Sequence, residues 1–208
     1  MNRRQWIIGT SLCALLPSSL VWAQSADVNP YEWVVALGNE VLNQIKKNPQ
    51  LRDGQIDQIR ELVNNVIRPN VDFRMVTRMT VGPSWRRATP QERERLETLF
   101  EQLLIRVYSG ALKQITDHVC VLKKQRNYPI SNDLVVNVML ESASHSGKPI
   151  AMAYRVYKNK DGEWKIVDMN VEGIWMVENY HAQFASVIDQ NGIAGLITLL
   201  EQKVAEAQ

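Results

Sequence analysis

The chain is short of the groups that most chemistry needs. It has two cysteines and three histidines in 208 residues. Cys13 lies in an apolar stretch at the N-terminus, and Cys120 stands between Val119 and Val121. If the first segment is removed, one thiol is left, so no internal disulfide can form. Cys120 then reads as a small buried hydrophobe rather than a catalytic thiol. His118, His145 and His181 lack the spacing of zinc ligands. No GxSxG, Walker loop, GxGxxG or HExxH occurs. Charge of one sign is also missing. The 24 Lys and Arg, less Arg3 and Arg4, leave 22 against 22 Asp and Glu. A neutral chain lacks the basic footprint of a generic nucleic-acid binder and of a protein docked electrostatically on anionic lipid.

Long apolar runs are missing too, except at the start. Arg3 and Arg4 precede the apolar stretch Trp6–Leu16, and Pro17-Ser18-Ser19 and Val21-Trp22-Ala23 follow. That is the pattern of a secretory signal peptide cut near Ala23, too short to span a membrane. The two arginines also allow a twin-arginine reading. Residues 1–23 are therefore expected to be a cleaved signal peptide and residues 24–208 a single exported domain. About 185 residues suffice for one domain with a substantial core.

The first half carries helix signals. Asn29-Pro30-Tyr31-Glu32 starts a helix that Asn48-Pro49 ends, and Asp53 caps a second with Ile56, Ile59, Val63, Val66 and Ile67. Asp72 caps a short third helix before Gly82-Pro83. Thr89-Pro90-Gln91-Glu92 opens a fourth, expected to reach about Thr116, with His118 at its end. From Val119 the pattern alternates. Leu134, Val136, Val138 and Leu140 share one strand face, as do Ile150, Met152, Tyr154 and Val156. Ser144 to Pro149 is a turn, and Lys160-Asp161-Gly162-Glu163 signals a hairpin. In the strand from Trp164, alternation puts Val167, Met169 and Val171 on one face, and Trp164, Ile166 and Asp168 on the other. Two helices close the chain, parted by Asn191-Gly192. The expected fold is α+β: several helices packed on a curved antiparallel sheet of about four strands, layers that can enclose a cavity between them.

Six methionines lie beyond the signal segment, at 75, 79, 139, 152, 169 and 176. Methionine adapts to irregular partners, as a pocket for acyl chains requires. Spacing alone leaves ordinary core and cavity wall both open. Asp168 reads first as a hydrogen-bonded structural carboxylate and second as an acid of raised pKa.

Asp72-Phe73-Arg74-Met75, then Gly82 with Trp85-Arg86, resembles the DF…G..WR signature of the MlaC family, also known as toluene-tolerance auxiliary proteins. FEQLLIRVY at 100–108, WKIVDMNVEGIWMVENYHAQF at 164–184 and the stretch Gly192–Lys203 are similar to further family segments, in the same order. Trp175 stands where the family usually has serine, and His181 where it usually has arginine. The resemblance implies a periplasmic phospholipid carrier without catalysis or cofactor, holding phospholipid as cargo. Its implied partners are an inner-membrane MCE-protein/ABC transporter complex and an outer-membrane lipoprotein–porin complex. Its role would be to maintain outer-membrane lipid asymmetry, and a monomer is expected.

The wall expected under that resemblance comprises Met79, Trp85, Leu103, Leu104, Val107 and Tyr108 from helices. The sheet adds Val136, Val138, Leu140, Met152, Tyr154, Val167, Met169 and Val171, with Ile174 and Met176 at the rim. Arg74, Arg86 and Arg87 are candidate docking cations. Two rival readings stand beside the carrier: an adaptor without a lipid ligand, and a cone-fold enzyme using Asp168 or Asp72.

Overall fold

The computed structural model describes residues 28–206 except 116, 125–126 and 145–147. The expected signal peptide and His145 lie outside the described residues. Helix α1 (Pro30–Lys47) starts as expected: Asn29 Oδ1 accepts the Tyr31 N–H at 2.9 Å, and proline occupies the first turn. Asn48 then ends α1 and caps the short α2 (Pro49–Arg52) by accepting the Gln50 N–H. Asp53 belongs to the end of α2 and does not cap the next helix. Gly54, at φ +80°, turns the chain first, and α3 (Ile56–Leu62) begins after Gln55 without a side-chain cap. From Val63 to Ile67 that helix widens into a π turn, closed by Arg68 N–H on Val63 O at 2.7 Å.

Asp72 caps α4 (Phe73–Val81), accepting the Met75 N–H at 2.8 Å. Gly82 leaves the helix at φ +68° into a 3-10 turn, Gly82–Arg86. Thr89 and Glu92 form a reciprocal capping box on α5 (Pro90–Ser109). This helix is about 30 Å long and does not reach Thr116. Ser109 Oγ donates to Arg106 O, Gly110 follows, and the chain tightens into a 3-10 turn over Gly110–Gln114. His118 accordingly opens a strand rather than ending a helix.

Strands β1 (His118–Leu122), β2 (Asp133–Ser142), β3 (Ile150–Lys158), β4 (Trp164–Val171) and β5 (Ile174–Trp175) form one antiparallel sheet in chain order. The fifth strand is two residues long, made when Glu172 and Gly173, both at positive φ, fold the chain back on β4. Finally α6 (Met176–Glu206) covers the β4 end of the sheet, broken at Gly192 where φ is +68°.

One irregularity corrects the expected faces. Arg155 pairs with Asp168, but Val156 pairs with Ile166, so Val167 is an extra residue in β4. Such a bulge resets the alternation and bends the strand. Trp164 and Ile166 therefore share a face with Met169 and Val171, while Asp168 points the opposite way.

The apolar residues form two clusters. One lies between α1, α3 and the sheet and includes Val34, Ile45, Val136, Val138, Val156 and Trp164. The other lies among α4, α5 and α6 and includes Trp85, Leu96, Phe100, Leu104, Phe184 and Leu200. Among the described residues no helix is long and apolar enough to cross a membrane.

Candidate lipid site and its charged mouth

The bulge determines how the site is built. It frees the outer edge of Ile166, which donates its N–H to Asn70 O at 2.9 Å and accepts the Asp72 N–H at 3.0 Å. The segment leading into α4 is thereby fixed to the sheet, and Val71 packs against both apolar clusters. Helix α5 also spans the two, sending Ile105 to the first and Leu104 to the second. A seam thus runs between the sheet and the α4–α6 layer, with Val71 at its end.

Most expected wall residues lie along this seam or in its flanking clusters. Val136, Val138 and Leu140 are buried on the inner sheet face, opposite the partly buried Tyr154, Met152 and Ile150 of β3. Met169 and Val171 pair with Tyr154 and Met152 and continue that face. Leu103, Leu104 and Trp85 are buried in the helical cluster, with Met79 and Tyr108 partly buried against it. Val167 is buried at the bulge, away from the regular face. Met176 is buried, whereas Ile174 stands 64% exposed and Val107 52% exposed. Tyr154 shows how apolar the surroundings are. Its hydroxyl has the Met152 sulfur at 3.8 Å as partner, and burial pushes its pKa well above that of a free tyrosine. Cys120 is free and buried, its thiol pushed up to about 11 by desolvation.

Two open clefts flank the start of α4. One, of about 410 Å³, is lined by Asp72, Arg74, Met75, Arg78, Trp85, Arg86 and Arg93. The other, of about 350 Å³, shares Asp72 and Arg74 and adds Val71, Phe73, Glu97, Glu101 and Tyr157. Tyr157 O–H donates to Asp72 Oδ2 at 2.5 Å. Burial, aided by that bond, pushes the Tyr157 phenol up to about 12. Glu101 is buried and accepts from Arg68 at 2.5 Å; desolvation raises its pKa, and Arg68 opposes the rise.

The sequence pattern points to the apolar residues named above but not to these charged clefts. Arg78 and Arg93 went unmarked, although Arg74 and Arg78 at i,i+4 were a visible signal. Val71 and Ile105, which define the seam, gave no signal of their own. Asp168 is a structural carboxylate. Its Oδ1 accepts the Met169 N–H at 2.8 Å and the Val177 N–H at 3.0 Å, and Arg155 lies 3.6 Å from Oδ2.

The chain is similar to known proteins over most of its length. Among solved structures, the phospholipid-binding protein of Ralstonia solanacearum, determined in complex with a phospholipid, superposes with a TM-score of 0.80 at 33% identity, over 86% of this chain and 99% of that one. The intermembrane phospholipid transport system binding protein MlaC of Haemophilus influenzae is 23% identical over 205 residues, 98% of this chain and 94% of the relative. Toluene tolerance protein ttg2D of Pseudomonas putida is 25% identical over 183 residues, 87% of this chain and 81% of the relative. A family model described as MlaC protein matches residues 36–202, a span that takes in most of both apolar clusters, the bulge and the two clefts. On that match the chain belongs to the MlaC family.

Proposed function

We propose that the protein is a soluble periplasmic phospholipid carrier of the Mla transport system. Residues 1–23 direct export and are removed, and residues 24–208 act as one lipid-binding domain. The carrier passes lipid between an inner-membrane MCE-protein/ABC transporter complex and an outer-membrane lipoprotein–porin complex, and so maintains outer-membrane lipid asymmetry.

The observation that supports this most directly is the inner sheet face. It runs from Cys120 through Val138 and Met152 to Val171, and at Met152, Tyr154, Met169 and Val171 it is partly buried rather than sealed. Acyl chains lie along the seam between this face and the α4–α6 layer. Each methylene withdrawn from water contributes about 0.8 kcal/mol, so two chains supply ample driving force. The grip rests on methionine and valine rather than on fixed polar contacts, which suits a protein that must release its cargo.

Native mass spectrometry of the mature protein, purified from the periplasm without detergent, tests the reading. The expected result is an added mass of one or two phospholipids, released by organic solvent. An apo mass with no uptake from liposomes would overturn it in favour of an adaptor. Val171→Glu should fold and lose lipid, because a carboxylate there would be desolvated against hydrocarbon. Retained lipid in that variant would show that this face is not the wall.

A further inference from the structure

The guanidinium groups of Arg74, Arg78, Arg86 and Arg93 line one open cleft. Arg74 and Arg78 stand one turn apart on the same face of α4, where like charges repel. The turn at Gly82 brings Arg86 back alongside them. Arg93 is fixed in place. Its Nε donates to Trp85 O at 3.1 Å, its Nη2 to Arg86 O at 3.2 Å, and its Cζ lies 5.6 Å from the Trp85 ring centroid.

The guanidinium groups of Arg74, Arg78 and Arg86 make no hydrogen bond and no ion pair among the described residues. Arginines elsewhere on the surface do find acids: Arg60 with Asp57, Arg68 with Glu101 and Arg95 with Glu201. Asp72 is the one acid on the wall of this cleft among the described residues. Both its oxygens are taken by neutral donors, Met75 N–H and Tyr157 O–H. Four arginines therefore share this wall with the single carboxylate of Asp72, and Glu97 of the adjoining cleft acts on Arg74 alone of the four, so positive charge is left in excess.

We infer that this cleft is a phosphate site that takes the phosphodiester of the bound lipid's headgroup; the inference rests on the carrier reading above. Guanidinium forks match phosphate oxygens in bidentate pairs. The surroundings favour an amphiphile over an acidic peptide. Trp85 and Met75 also line it, and the adjoining cleft, which shares Asp72 and Arg74, is lined by Val71, which packs against both apolar clusters. A lipid can leave its phosphate among the arginines and run its chains into the seam. A peptide carboxylate would use the charge and leave the seam empty.

Calorimetry with two soluble ligands of identical tails, dihexanoyl phosphatidylcholine and dihexanoylglycerol, tests this on the mature chain. Wild type should favour the phospholipid. In Arg74→Gln/Arg78→Gln/Arg86→Gln its affinity should fall at least about tenfold while dihexanoylglycerol binds as before, because charge-assisted hydrogen bonds are lost and the apolar contacts are kept. Arg78→Gln alone, at an exposed position, should show part of the same loss.

Titration with inorganic phosphate separates the sources of the group. Phosphate binding that the triple variant abolishes supports the site with free phosphate as a competent occupant. No phosphate binding, together with lost preference for the phospholipid, supports a lipid-borne phosphate. Equal phospholipid affinity in wild type and triple variant would overturn the site while leaving the carrier standing. Equal affinity with slowed transfer to acceptor vesicles would also overturn it, and would make the patch a docking surface. Wild type that binds neither lipid would remove the carrier reading itself.

Discussion

Asp168 does at residue scale what a helix cap and a strand pair do separately. It accepts two backbone N–H groups, one from its own strand and one from the start of α6, and it faces Arg155 across the β3–β4 pair. Arg155 in turn stacks 5.0 Å from the ring centroid of Trp175. Replacing Asp168 by Ala would leave the buried Val177 N–H without an acceptor, and should cost about 1–3 kcal/mol in denaturant unfolding. Asp168→Asn keeps an acceptor oxygen and isolates the charge. Burial raises the folded-state pKa of Asp168 above the usual carboxylate value, against the pull of its donors and of Arg155. Its contribution to stability is therefore fully present below the unfolded pKa of about 3.9 and is lost as pH rises through the folded pKa. The stability of wild type relative to Asp168→Asn should fall as pH rises above about 4; a constant difference would mean that the carboxylate is not desolvated. Trp175→Ser removes the stack at a half-exposed site and should cost no more than about 1 kcal/mol by the same unfolding measurement.

At the scale of elements, much of the chain announces itself. The capping box of α5, the N-terminal prolines of α1 and α2 and the Asn159–Glu163 turn are local chemistry, legible in a few adjacent residues. What escapes is whatever depends on a partner. The extra residue at Val167 sits beside Ile166, which pairs with Asn70 and Asp72 nearly a hundred positions earlier, and no local pattern records that. The edge of β1 is similar. Asn39 of α1 donates to Cys120 O at 2.8 Å and accepts the Cys120 N–H at 2.9 Å, so a helix side chain closes a strand edge that would otherwise invite pairing. Asn39→Ala should cost about 1–3 kcal/mol through those two groups, measured by chemical unfolding. Gly82 shows a second long-range constraint. An added Cβ would meet His181 Cε1 at 2.5 Å, and φ is +68°. Gly54 has a similar φ of +80° but nothing within 4 Å. Gly82→Ala should therefore lower the melting temperature clearly more than Gly54→Ala, which carries the backbone strain alone; equal losses would show that the α4–α6 contact at His181 yields easily.

For the whole molecule, the apolar character of the candidate wall was legible but whether those residues line a cavity was not, for one physical reason. Core and cavity wall are made of the same residues, so Val138 or Leu104 carries no mark of whether it touches protein or lipid. The two clusters also explain why a carrier can be stable and still open. Each has its own buried set, so parting them along the seam exposes chiefly the partly buried rows at Met152, Tyr154, Met169, Val171 and Tyr108 and leaves Val136, Phe100 or Leu200 packed. A lipid held in the proposed seam would bind the folded state and have no equivalent site in the unfolded chain, so it would stabilise by mass action, by about 2.7 kcal/mol when free ligand stands at a hundred times its dissociation constant. Protein freed of lipid should thus melt several degrees lower than the loaded form, and addition of phospholipid should restore the difference in a concentration-dependent way. The Val171→Glu variant should melt at one temperature whether lipid is added or not. If the delipidated and loaded wild type melted together, the lipid would be contributing nothing to the folded state, and the seam would be ordinary core.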